Sequence, residues 1–197
     1  MLKIIVLVSG GGSNLQAIID GIHERRVQNT EIVAVISSKA QVYALTRAEK
    51  YGIPTVVVDP NQYSDVSLFN DALFHQIEAY KPDLIVLAGF LRKIPIRVIE
   101  TYKNQIINVH PSLLPAFGGP GFYGLKVHEA ALARGVKVSG ATVHYVDEDL
   151  DTGPILMQKV VPVLEGDTPE LLQRRVMEEA EWVILPEVIN RIAMSKI

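Results

Sequence analysis

The chain has 197 residues, enough for one sizeable buried core and short for two. A hydrophobic fraction of 48%, a charged fraction of 21% and a formal net charge of −3 describe an ordinary globular protein, and argue against a nucleic-acid or membrane surface built on bulk positive charge. There is no cysteine, so disulfides and thiolate metal sites are excluded and a reducing, cytoplasmic setting is expected.

The opening "MLKIIVLVSGGGSN" carries an apolar run too short to span a bilayer, and no signal-type cleavage site follows; a first buried strand over 3–9 is the expectation. Leu15, Ile18, Ile19 and Ile22 then recur at helical spacing in 14–25. A second strand over 31–37 leads to a helix over 42–52 closed by Gly52, and a third strand over 54–59 to a helix over 65–80 with Ser64 or Asp65 as its cap. Strands follow over 83–89 and 105–110. Short apolar strands separated by helices predict βαβ units and a mostly parallel sheet with helices on both faces. Beyond about residue 135, "KVSGATVHYVDE" (137–148) and "GPILMQKVVPV" (153–163) read as an antiparallel addition. A long helix over 167–193 closes the chain, with a start signal at Thr168 and a kink or break expected at Pro186. With no repeat or linker in view, one domain over 1–197 is expected, its first hundred residues holding the glycine loop and 101–197 the acid and histidine motifs.

"VSGGGSNLQ" (8–16) follows a strand and opens a helix. Glycines let backbone approach a ligand closely, and a helix N-terminus offers N–H groups and a favourable dipole to an anion. The plainer alternative is a tight turn capped by Ser13 or Asn14. A dinucleotide fits poorly, because Leu15 stands where a third glycine belongs and "SSKA" (37–40) lacks the acid that would hold a ribose hydroxyl. No GxxxxGK[ST] occurs, so a phosphate monoester is the better fit.

The strand "QIINVH" (105–110) brings Asn108 and His110 to one face at its carboxyl end, where open α/β sheets place ligands. An amide donor and a proton carrier together suit acyl transfer, which develops an oxyanion and moves a proton. A histidine in that role wants an orienting anion. "VDEDLDTGP" (146–154) offers Asp147, Glu148, Asp149 and Asp151 without EF-hand spacing, and spacing leaves the choice among the four open. A carboxylate beside His110 is expected to raise its pKa. His23 and His75 read as surface residues, His128 as lining or capping the preceding loop, and His144 as structural; no pair has metal-ligand spacing, so no metal is expected.

"NVHPSLLPAF" (108–117) with "VDEDLDTGPIL" (146–156), joined by "VSGGGSNLQAII" (8–19) and "LAGFLRKI" (87–94), resembles the folate-dependent formyltransferase family over nearly the whole chain. The resemblance implies a Rossmann-like formyltransferase fold. It also implies transfer of a formyl group from 10-formyltetrahydrofolate, the co-substrate, to the amine of glycinamide ribonucleotide in purine biosynthesis. By the same resemblance, Asn108, His110 and Asp151 are the catalytic trio, and Gly12, Ser13 and Asn14 bind the ribonucleotide phosphate. Leu91, Arg92, Lys93 and Ile94 border the folate pterin, as does Asn108, and Asp147, Glu148, Asp149, Leu150 and Asp151 form the folate loop. Glu181 matches an acid that binds the ribonucleotide, in a segment one residue longer than the family pattern. The loop "PAFGGPGFYGLKVHEA" (115–130) is about five residues longer than the family's shorter form, an expectation from the resemblance alone. Val66, Lys126 and Trp182 replace an arginine and two histidines found in other members. The expected partners are small molecules, with no nucleic acid or membrane, in a monomer or homodimer. A formyltetrahydrofolate hydrolase and a methionyl-tRNA formyltransferase are the nearest rivals, and both resemble longer chains.

Overall fold

The computed structural model describes residues 1–195. Seven strands form one sheet in the order β3-β2-β1-β4-β5-β6-β7. The strands are β1 (Leu2–Val8), β2 (Thr30–Ser37), β3 (Thr55–Val57), β4 (Leu84–Leu87), β5 (Ile106–His110), β6 (Val138–Tyr145) and β7 (Ile155–Pro162). The pairs among β1 to β5 are parallel, whereas β5–β6 and β6–β7 are antiparallel. The expected α/β architecture with an antiparallel C-terminal addition is therefore present.

Periodicity two divides the core. Ile4, Val6 and Val8 enter one apolar cluster and Ile5 and Leu7 the other, so β1 is covered on both faces. Helices α1 (Ser13–His23) and α2 (Tyr43–Lys50) contribute Leu15, Ile18, Ala44 and Ala48 to the first cluster. Helices α3 (Val66–Tyr80) and α4 (Ile96–Thr101) contribute Phe69, Leu73, Ile77 and Val98 to the second. Asp65 caps α3, its carboxylate accepting the Leu68 N–H at 3.0 Å. Helix α4 and helix α5 (Leu125–Arg134) are additional to the elements expected from the apolar pattern.

Two departures bear on the site. Helix α1 is capped by no side chain; its cap residue is Gly12 in the left-handed region (φ 73°). A Cβ at Gly12 would stand 2.7 Å from the Ala44 Cβ, so the tight approach of α2 to this loop requires glycine there. The C-terminal helix is not broken at Pro186. It runs as α6 (Pro169–Val176), a π turn (Met177–Glu181) and α7 (Trp182–Ala193), with Pro186 inside α7. A π turn widens a helix locally and is often found beside a functional cleft. The irregularity thus precedes the proline, and it turns Met177 and Glu181 toward a cleft at the carboxyl end of the sheet.

That end of the sheet holds the switch point. From β1 the chain crosses to β2 and β3 on one side, and β4 then pairs on the other side of β1. Loops after β1 and β4 therefore diverge and leave a crevice between them. Beside it, the turn from β6 to β7 returns through Gly153, where a Cβ would lie 1.9 Å from the Tyr145 carbonyl oxygen. Gly153→Ala is expected to lower unfolding free energy by roughly 2–4 kcal/mol, through backbone displacement where β6 meets β7. Urea denaturation measures it, and an unchanged midpoint and slope would show that the turn absorbs the methyl group.

Candidate active site

A cleft of about 790 Å³ opens at the switch point. The loop after β1, Gly10–Asn14, forms one end, with Met177 and Glu181 of the π turn facing it. Residues 87–94 after β4 and 146–151 after β6 form the other. Asn108 and His110 at the end of β5 line the cleft with His144 of β6 and His128 of α5. All the residues assigned from the sequence reach this one cleft: Gly12, Ser13, Asn14, Leu91, Arg92, Lys93, Ile94, Asn108, His110, Asp147, Glu148, Asp149, Leu150, Asp151 and Glu181.

The β5–β6 register builds the centre, because Asn108 lies opposite His144 and His110 opposite Thr142. His144 Nδ1 faces the Tyr145 carbonyl at 2.8 Å, and a carbonyl only accepts, so that nitrogen carries the hydrogen. In the neutral ring Nε2 is then the acceptor, and it takes an N–H of Asn108 at 3.2 Å. The other amide hydrogen of Asn108 is left for the cleft. His110 is placed by the same logic: its Nε2 donates to the Phe117 carbonyl at 2.8 Å, while Nδ1 faces Asp151 Oδ2 at 3.5 Å.

Asp151 is the one acid of its loop that reaches both imidazoles. Its Oδ2 accepts the Gly119 N–H at 2.8 Å, and its Oδ1 lies 3.6 Å from His144 Nε2. The residue adopts φ 61°, which turns the carboxylate inward. Asp147 instead accepts the Thr152 hydroxyl at 2.7 Å, and Glu148 and Asp149 are exposed. The choice that spacing left open is resolved by position.

Burial governs the electrostatics. His110 is 4% exposed, and desolvation lowers its pKa against the opposing effects of Asp151 and the Phe117 carbonyl. The expected upward shift is thus corrected: the cost of burying an imidazolium exceeds the attraction of a carboxylate that stands 3.5 Å away. For Asp151 the balance reverses. Burial alone would raise its pKa, but the neighbouring His144 and His110 rings and the hydrogen bond from the Gly119 N–H together hold it below the usual carboxylate value. Glu181 is pushed up by burial, opposed by a hydrogen bond from Asn14 Nδ2 at 2.6 Å.

Two histidines carry more than the sequence assigned them. His144, read as structural, links Asn108 to Asp151; the signal was its antiparallel pairing partner, which sequence alone does not reveal. His128, read as lining the glycine loop or capping its end, sits at the close of the first turn of α5, fully buried, with no hydrogen-bond partner at either ring nitrogen. Desolvation first, and then the nearby His110, lower its pKa to about 4. His23 and His75 are exposed, as expected.

This sheet, with its glycine loop and its Asn–His–Asp centre, defines a class: the family profile for formyl transferase matches residues 2–189, and the chain belongs to that family. Its relatives are more particular. It is 39% identical to the chloroplastic phosphoribosylglycinamide formyltransferase of Vigna unguiculata over 99% of this chain, and spans 62% of that relative's length. It is 38% identical to the phosphoribosylglycinamide formyltransferase of Escherichia coli K12, over 100% of this chain and 89% of the relative. The crystal structure of glycinamide ribonucleotide transformylase 1 from Symbiobacterium toebii superposes with a TM-score of 0.92 at 45% identity, covering 99% of this chain and 89% of that one.

The burial of His128 has a consequence for folding. In the unfolded chain an imidazole protonates below about pH 6.5, whereas in the fold His128 resists protonation down to about 4. The unfolded state therefore binds more protons in this window, and stability falls as pH falls through it. The His128 share is at most about 3 kcal/mol. Urea unfolding from pH 7 to 4 should show a shallower acid loss for His128→Leu than for the wild type; superimposable pH profiles would remove His128 from the account.

Proposed function

We propose that the chain transfers the formyl group of 10-formyltetrahydrofolate to the primary amine of glycinamide ribonucleotide, yielding formylglycinamide ribonucleotide and tetrahydrofolate. The observation that carries this reading is the convergence of Asn108, His110 and Asp151 in one cleft whose far end is an uncapped, glycine-built helix N-terminus. Both substrates are small molecules, and the cleft holds them end to end. The ribonucleotide phosphate lies against Gly12, Ser13 and Asn14, with Glu181 and Asn14 toward the ribose. The pterin lies between Leu91–Ile94 and the loop 147–151.

The amine lone pair attacks the formyl carbon, a C–N bond forms, and the carbonyl oxygen becomes an oxyanion. Asn108 donates its remaining amide hydrogen to that oxygen. His110 donates from Nε2, the oxyanion replacing the Phe117 carbonyl as acceptor. Burial keeps His110 neutral before reaction, when no negative charge faces it from the substrate. As the oxyanion develops, uptake of a solvent proton at Nδ1 beside Asp151 becomes favourable, and it is given back when the oxyanion collapses, so the stabilisation is larger in the transition state than in the ground state. The C–N10 bond then breaks as N10 of the folate gains a proton, and the attacking nitrogen loses one. A cytoplasmic location belongs to the same reading; among the described residues no helix is long and apolar enough to cross a membrane.

Formyl transfer by the purified chain, followed as ribonucleotide-dependent release of tetrahydrofolate, tests the assignment. His110→Ala and Asp151→Asn are each expected to lower kcat roughly 10²-fold or more. Cofactor consumption that proceeds equally without the ribonucleotide would identify a formyltetrahydrofolate hydrolase instead, and near-normal turnover of both variants would sink the trio.

A further inference from the structure

We propose that Lys39 supplies the cation that reaches into the cleft at the glycine loop, pairing with the phosphate monoester of the substrate. The inference rests on the function proposed above and adds a residue outside the motifs that carry the family resemblance. Lys39 follows β2 and lines the same cleft as Gly10–Asn14. Its backbone is anchored: the buried Ser37 hydroxyl donates to the Lys39 carbonyl at 2.7 Å and accepts the Lys39 N–H at 3.1 Å. Ser38 is tied to the loop strand through its N–H to Val8 and its hydroxyl to that of Ser9. A flexible side chain thus starts from a fixed base beside the loop. It is exposed and makes no ion pair with any described residue.

The charge balance at this end requires such a group. A phosphate monoester approaches −2, whereas a helix N-terminus offers the equivalent of about half a positive charge. Arg47 braces the loop, its Nε donating to the Gly11 carbonyl and Nη1 to Gln16, but it does not line the cleft and so makes no direct contact there. Arg92 and Lys93 come from the loop after β4, at the folate end of the proposed arrangement. The first turn of α1 holds no acid that would oppose an anion. An independent sign of a ligand stands at the same place: Asn14 donates from Nδ2 to Glu181, but its Oδ1 is buried without a partner. A buried acceptor left unpaired is costly, and a ligand hydroxyl beside the phosphate would satisfy it.

Kinetics and a direct binding measurement test the proposal together. Lys39→Gln should raise KM for the ribonucleotide roughly tenfold while leaving kcat and the KM for 10-formyltetrahydrofolate within about twofold, and Lys39→Arg should restore most of the loss. Calorimetry with ribose 5-phosphate should show weaker binding to Lys39→Gln than to the wild type. Equal ribonucleotide KM and equal ribose 5-phosphate affinity in wild type and Lys39→Gln would overturn the proposal, as would a wild type that fails to bind ribose 5-phosphate at all. A wild type that binds ribose 5-phosphate through Lys39 but formylates no ribonucleotide would uphold the lysine and overturn the proposed function.

Discussion

A parallel sheet must send its chain away at the carboxyl edge of every strand, and where the strand order reverses, the departing loops part. That constraint at β1 and β4 is what the cleft depends on. It sets the glycine loop and the segment 87–94 on opposite walls, with β5 between the cleft and the antiparallel addition. The addition is more than an edge: antiparallel pairing with β6 is what puts His144 across from Asn108. Thr142 of β6 accepts the Leu114 N–H and donates to the Ser112 carbonyl, which pins the chain after Pro111.

At the centre of the cleft, four polar side chains are held against one another, whereas His128 and Asn14 Oδ1 nearby have no partner. Asn108, His144, Asp151 and His110 form a chain of contacts, and backbone from the loop after β5 holds it at Asp151 through Gly119 and at its His110 end through Phe117. Low dielectric strengthens each contact and penalises each charge without a close partner. The outcome is an acid held ionised beside an imidazole held neutral, a pair poised to separate charge when a new anion enters.

Much of this is legible in the residues. β-Branched runs and helical spacing reveal the alternation of elements, and the Asn108–His110 spacing and the triple glycine reveal the centre and one end of the cleft. Strand order is not legible, because parallel neighbours are chosen by tertiary packing. The role of His144 depends on a cross-strand register, and the Phe117 partner is a backbone carbonyl, which no side chain announces. The direction of the His110 shift departs from expectation for a related reason: a neighbouring acid can be inferred from a motif, but the extent of burial cannot. Pro186 is misleading because propensity marks a proline as a break, whereas it lies inside α7 and the irregularity falls upstream at the π turn.

The π turn also decouples two tasks along one rod. Each helical residue rotates the chain by about 100°, so the angular phase of Glu181 relative to the residues of α7 is set by how many positions lie between. On one side the rod must present a carboxyl to Asn14; on the other it must lay Ile184, Leu185, Val188 and Ile189 against the core. A regular helix ties those phases together. The wider turn at Met177–Glu181 frees them, so that losing a single residue there would force a choice between a correctly aimed carboxyl and a correctly seated apolar face.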